Sequence, residues 1–551
     1  MIRRVVCMLA LVLPLAAQDS EVEQLKKMLL DQQRQINELK QKLGMPVNEG
    51  VPVNAHAGIG EVASTTPVLP PVPPPPPTFS APLPPTTTAA LPPAPAPAAP
   101  DDSSSPLQFK LGDAYFTPVG FMDMTSVVRS TNTGSGIGTN FGSVPYSNVQ
   151  AGALSETFLS PQNSRIGMRI DTAFKDWKVM GYWESDFLGQ VGSPPNGGLA
   201  VSSNPFVFRL RLYWVDVQKG KFEFLAGQSW SLMTPNRVGV SPLPSDVFYS
   251  QNMDVNYQLG LVWGRIPGYR LAYHPSDKVA FAVAFENSQP YVGGANGGSA
   301  VTLPTAIATT ATTGSTQGSV LGGQINNGSS VISAAALMPD IIAKLAFDPT
   351  RKFHFEIAGV MIANKIAYPE SGPTFPTNTK VGGGGSINLG FELAPGFRIL
   401  TNNFWSAGGG RYIFGQAPDF IIRANGTMSL VHSGSTASGF EWTAKRSLLF
   451  GYYGGVYVGR NTALDTTGKL IGYGEIASDG QNRMIQEITF GDNFTLAKSA
   501  KWGALNLIFQ YSYVQRNPWL VTGTAPTNAN LSMGFFDLRY TLPGSAPTMG
   551  K

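Results

Sequence analysis

Charged side chains recur at every second position in several segments of this chain. In FVFRLRLYWVDV, residues 206–217, Arg209 and Arg211 stand two apart. On a strand, side chains two apart share a face about 6.7 Å from one another. Strict alternation then puts Phe208, Leu210, Leu212 and Trp214 on the opposite face, with Tyr213 beside the arginines. Arg165, Arg169 and Asp171 repeat the pattern in SRIGMRIDTAF, and Glu184 and Asp186 in KVMGYWESDFL. Further members are Arg270, Lys344, His354 with Glu356, and Asp537 with Arg539. A guanidinium can hold a carboxylate by two parallel hydrogen bonds, and charge rings of one sign set ion selectivity in pores. The competing reading is internal pairing of these arginines with Asp171, Glu184, Asp186 and Glu223, which would stiffen a wall. Both readings are carried forward, with anion preference as a lean.

Catalytic chemistry finds less support. There is no nucleophile elbow and no HExxH. His56, His274, His354 and His432 lack metal-ligand spacing. The glycine run 382–385 has no following Lys-Ser/Thr, so it is no phosphate loop; it suits close backbone approach or a wall thinned where subunits meet. No catalytic residue, metal site or cofactor is assigned, and a barrel-borne hydrolase is the minor alternative.

The elements that position these residues begin after an export signal. Arg3 and Arg4 precede an apolar stretch, residues 5–15, too short to span a bilayer, and Ala16-Ala17 suit cleavage before Gln18. Residues 1–17 are thus read as a signal peptide, whose removal takes Cys7, the chain's sole cysteine. Residues 19–44 carry a heptad seam, Val22, Leu29, Ile36 and Leu43 interleaved with Leu25, Gln32 and Leu39. Ser20 and Glu23 form a capping box, and Gly44 and Pro46 end the helix. A helix of three heptads must bury its seam against partners, which favours self-association through a coiled coil. Residues 45–106 hold 19 of the 44 prolines, a spacer that extended could reach about 180 Å.

From residue 107 to 542 the chain reads as sixteen segments of period-two alternation. Short turns, such as 175–177, 218–221 and 445–446, alternate with long polar stretches at 131–163, 288–338 and 407–438. Charged residues make up 13% of the chain, against about 25% in soluble domains, and no stretch reaches about 18 apolar residues in a row. Tyr269, Tyr273, Leu538 and Tyr540 fall on the faces opposite the charges. An Arg or Lys facing lipid at mid-bilayer costs about 2–4 kcal/mol, so the charges must face a lumen. The expected fold is all-β, a 16-stranded antiparallel transmembrane β-barrel, behind the coiled coil and proline-rich linker, with residues 543–551 as a tail. In the opening hairpin's second strand, Leu225 falls on the lumen face and Gln228 outside. A bulge or a polar subunit contact would account for that break.

RLRLYWVDV with LAGQSWS, SRIGMRI, GYWESDF and LRYTL resembles the DcaP-like family of trimeric outer-membrane porins. The resemblance implies a coiled coil ahead of a sixteen-stranded barrel, a homotrimer in outer-membrane lipid, and passive uptake of small, often anionic solutes such as dicarboxylates. By analogy the third long loop, read as residues 233–256, narrows the lumen, which nominates Asn236, Arg237 and Asp246. The nominated lumen residues are Arg165, Arg169, Arg209, Arg211, Arg270, Glu184, Asp186, Lys344 and Arg539. With both chain ends on the short-turn side, the coiled coil and linker lie in the periplasm of a Gram-negative-type bacterium. There they could also tether the barrel to peptidoglycan or a periplasmic partner. A net charge of +4 gives no case for nucleic acid.

Overall fold

The computed structural model describes residues 105–544 apart from 190–206, 244–246, 253–256, 294–300, 306–324, 326–332, 368–375, 415, 475–479 and 522. The signal peptide, coiled coil and nearly all of the linker lie outside the described residues. Sixteen strands form seven hairpins flanked by two outer strands. Strand β1 is Ala114–Arg129. The hairpins are β2 (Arg165–Phe174) with β3 (Trp177–Gly189), β4 (Val207–Lys219) with β5 (Phe222–Trp230), and β6 (Arg265–Ser276) with β7 (Val279–Glu286). Next come β8 (Asp340–Thr350) with β9 (Phe353–Ala367) and β10 (Thr377–Ala394) with β11 (Phe397–Ala407). The last are β12 (His432–Ala444) with β13 (Ser447–Val458) and β14 (Asn482–Ser499) with β15 (Gly503–Pro518), before β16 (Ala529–Thr541).

Each strand pairs antiparallel with the next, and β16 pairs with β1 from Phe121↔Thr541 to Arg129↔Met533, which closes the ring. Closure leaves no unpaired edge, as a structure in lipid requires. Three short strands lie beside the ring: Phe109–Leu111 and Glu156–Ser160 along β1, and Ser333–Ala336 along β9. Short turns of two or three residues alternate with long loops all round the barrel. The turn after β4 is Gly220-Lys221, where Gly220 takes a φ of 57°, the left-handed conformation that a two-residue hairpin needs.

Strand polarity is inverted relative to a soluble sheet. In β7, Phe281, Val283 and Phe285 are 38–47% exposed on the outer wall, while Ala280, Ala282 and Ala284 are buried inside. No helix among the described residues is long and apolar enough to cross a membrane; the crossing elements are strands. The apolar core lies inside the ring, where Phe141, Val144, Leu259, Val262, Ile413, Phe420 and Tyr473 of the long loops pack on inward wall residues such as Ile342 and Phe450.

Two local readings change. Residues 432–438 belong to β12, not to the preceding loop; the Gly/Ser/Thr run there hides the alternation, although β12 pairs residue by residue with β13 from Ser433↔Val458 to Ala444↔Ser447. In β4 the alternation breaks at Arg211: Glu184 of β3 pairs with Leu212 and Ser185 with Leu210, leaving Arg211 as a bulge residue. Beyond it the faces exchange. Leu212 and Trp214 are buried inside the barrel, and Tyr213 is 63% exposed on the outer wall, the reverse of strict alternation. The break expected in β5 therefore lies in β4. Leu225 joins Val119, Tyr182, Leu212 and Trp214 in a small apolar cluster. Gln228 Nε2 donates to the carbonyl of Arg211 at 2.8 Å and caps the bulge.

Candidate pore-lining site

Strands β2, β3 and β4 bring Arg165, Glu184, Asp186, Arg209 and Arg211 together on the inner wall. Arg209 donates from Nε and Nη2 to the two oxygens of Asp186, at 2.9 and 2.6 Å. Arg211 donates to Glu184 at 2.7 Å and to Asp186 at 2.6 Å. The bulge makes this sharing possible, because it sets Arg211 between two carboxylates that face one residue too few. Arg165 lies 3.8 Å from Glu184 and covers the ring of Phe121 at 5.2 Å. Arg539 covers Phe121 too, at 4.7 Å. Tyr182 donates its hydroxyl to Glu184 at 3.1 Å. Arg211 is wholly buried, whereas the side chain of Arg209 is 32% exposed. Among the described residues, the three guanidiniums of Arg165, Arg209 and Arg211 share the two carboxylates of Glu184 and Asp186.

The other nominated cations sit elsewhere. Arg169 makes a two-pronged bond to Asp171, 2.8 Å each, nearer the short-turn end of β2. Arg270 donates to the carbonyls of Trp230 and Val240, at 2.9 and 3.0 Å. Arg539 bonds Asp123 and the Gln251 side chain, both at 2.7 Å. Glu223 meets His274 at 3.0 Å. Pairing with Asp171, Glu184 and Asp186 is thus realised, while Glu223 takes a histidine. Phe121, Tyr182 and Asp123 were not nominated; their parity with charged neighbours on the same strands was the signal.

The described residues of the loop between β5 and β6, 231–243, 247–252 and 257–264, hereafter L3, run inside the barrel. Asn236 offers its backbone N–H to both oxygens of Glu356 at 3.1 Å, and its carbonyl accepts from Asn388. Lys344 spans the join, donating to the Thr234 carbonyl at 2.7 Å and to Glu356 at 3.3 Å. Arg237 holds Glu441 through two bonds, 2.5 and 2.8 Å, and stacks over Tyr249 at 4.9 Å. Burial disfavours its charge, but Tyr249 and Glu441 outweigh that and hold its pKa above the ordinary arginine value. The Gly239 N–H donates to Asp348 at 3.0 Å, and Leu259 N–H to Glu487 at 3.1 Å. Gln251 N–H reaches Gln510 at 2.7 Å. L3 is therefore fixed to strands from β8 to β16. It meets the near wall through Leu243, which packs on the Trp214–Tyr182 cluster. Asn236 and Arg237 act as anchors of the loop; Asp246 lies outside the described residues. Glu441 was not nominated: it falls between the loop read at 407–438 and the turn at 445–446, in the short visible end of β12. Among the described residues, no three His, Cys, Asp or Glu side chains converge as a metal site.

In three dimensions the chain is similar to the outer-membrane channel DcaP of Acinetobacter baumannii, with a TM-score of 0.56 at 14% identity over 79% of this chain and 99% of that one. Looser superpositions are found with OmpT of Vibrio cholerae (TM-score 0.41, 9% identity, 79% and 99% covered) and an anion-selective porin from Comamonas acidovorans (0.40, 10%, 78% and 100%). Those two scores are too low to carry an argument. No protein-family model and no curated protein matches the chain. The likeness to DcaP lies in the fold, a closed sixteen-stranded barrel, and agrees with the resemblance read from the sequence motifs.

Proposed function

We propose that the protein is an outer-membrane porin through which small hydrophilic solutes diffuse passively, with a lean toward anions such as dicarboxylates. The observation that carries this reading is the closed ring with hydrocarbon outside, charged residues inside, and L3 laid across the lumen. In this reading solutes pass along the wall of β1 to β5. They meet Arg209 on the loop side, pass beside the contact that Leu243 makes with the Trp214–Tyr182 cluster, and reach Arg169 with Asp171 on the turn side. The part-exposed guanidinium of Arg209 on the inner wall supports the anion lean. The chain self-associates, a reading supported by the heptad seam, with three copies as the family resemblance implies; the short-turn position of residues 105–113 supports a coiled coil and linker in the periplasm.

The test is single-channel recording of the purified full chain in planar bilayers, with reversal potential measured across a potassium chloride gradient. Stepwise conductance with a reversal potential on the anion side is expected. A silent bilayer from correctly folded protein would reject the porin reading, and a cation-side potential would reject the anion lean alone.

A further inference from the structure

The turn-side mouth of the barrel is rimmed by cations: a lysine or arginine occupies every short turn except Pro395-Gly396. At one place the cations close round a recess of about 460 Å³, where Lys445, Arg446 and Lys498 stand over Asn493, Thr495 and Asn506. Its floor is inner wall. Asn493 keeps the parity of Glu487 and Thr489, both buried inside the ring, and Asn506 that of Ile508 and Gln510. Two local features bring the cations in. Lys445-Arg446 is a two-residue turn whose first residue takes a φ of 55°, and the Arg446 carbonyl accepts from the Thr495 N–H at 2.8 Å. On β14 the ladder skips Leu496, so that Thr495 pairs with Asn506 and Ala497 with Leu505. A bulge of one residue exchanges the faces beyond it. Lys498, paired with Ala504, thereby returns to the inner side, where strict alternation would not put it.

The recess is built of donors. Asn506 Nδ2 donates to Asn493 Oδ1 at 2.7 Å and to Thr495 Oγ1 at 3.2 Å. With those oxygens engaged, the groups that Asn493 and Thr495 present are an amide NH2 and a hydroxyl O–H. Farther into the lumen Arg169, Arg237, Lys344 and Arg539 each meet a carboxylate. Among the described residues no carboxylate lines this recess.

We propose that this recess, on β12 to β15, is a binding site for a soluble oxyanion carrying two negative charges. A double charge doubles the attraction to each of the three cations relative to chloride, and a guanidinium fits paired oxygens by two parallel hydrogen bonds. The ligand is soluble because the floor is inner wall, which lipid head groups do not reach. The site is separate from the Arg209 cluster, since β12 lies across the ring from β4. The proposal rests on the geometry of the barrel, not on its conducting solutes.

The test is equilibrium dialysis of the purified full chain in neutral detergent against radiolabelled inorganic sulfate, with potassium chloride in fixed excess. Saturable uptake is expected, and each cation removed should weaken it by about tenfold. The variants are Lys498→Gln alone and Lys498→Gln combined with Arg446→Gln and Lys445→Asn, asparagine being the residue that tolerates the left-handed turn. Arg351→Gln with Lys352→Gln, the cation pair of another short turn, is the contrast and should bind as the unaltered chain does. Heat-modifiable migration checks that each variant is folded. The absence of saturable uptake by the unaltered chain overturns the proposal, as does undiminished uptake by the folded recess variants. An equal loss in the contrast pair overturns it too, by assigning the binding to the general charge of the rim. Conductance recorded on the same samples separates the two questions: channels without sulfate uptake reject the recess and leave the porin reading standing.

Discussion

Arg209 is the most open guanidinium of the charged cluster, its side chain 32% exposed where that of Arg211 is sealed. Replacing both by alanine removes two cations from the cluster and leaves the carboxylates of Glu184 and Asp186 in place. The reversal potential of Arg209→Ala/Arg211→Ala should therefore move toward cations; an unchanged value in planar bilayers would reject the selectivity role and leave wall-stiffening. Arg211→Ala alone strands part of two buried carboxylates, a change that typically costs about 3–5 kcal/mol, so its thermal stability should fall well below that of Arg209→Ala. The inward placement of Arg165, Arg209, Glu184 and Asp186 was legible from period-two spacing alone. Which acid each arginine holds was not. Partner choice depends on the one-residue offset at Arg211, and nothing in RLRLYW marks where a strand will bulge.

At the scale of elements, L3 behaves as a strut. Arg237 and Glu441 form its strongest single anchor, a two-pronged bond between residues far apart in the chain. Arg237→Ala should leave the barrel folded but release the loop, raising single-channel conductance and open-channel noise; traces identical to those of the unaltered chain would assign the anchor to other contacts. Strand count, the alternation of short turns with long loops, and the inward row of β8 and β9 were readable from the sequence, because each rests on local pattern. The start of β12 was not, since Ser433 to Gly439 offer small residues on both faces and therefore no contrast. The face of Trp214 was misread for the same reason that strict alternation works elsewhere: it assumes an unbroken ladder. Cavity-lining alanines in β7 carry the one clear hint that something folds inside, as small inward residues leave room for L3.

The whole molecule joins a barrel to an N-terminal segment whose seam and spacer were read from sequence. Removal of residues 18–106 distinguishes their roles. Loss of the oligomer, measured by mass in detergent, is expected if the segment serves assembly; intact oligomers with a weakened cell envelope would instead favour tethering. The barrel's inner bracing also has a temporal side. Gln251 of L3 bonds Arg539, 288 residues later, and contacts so distant in the chain form late because long loops must close first. That anchor cannot exist until β16, the last strand, is in place beside β1. A barrel stalled one strand short holds L3 by its bonds to β8–β15 but lacks the bond from Arg539 to Gln251, so the middle of the loop is the part left open to proteases until the ring closes.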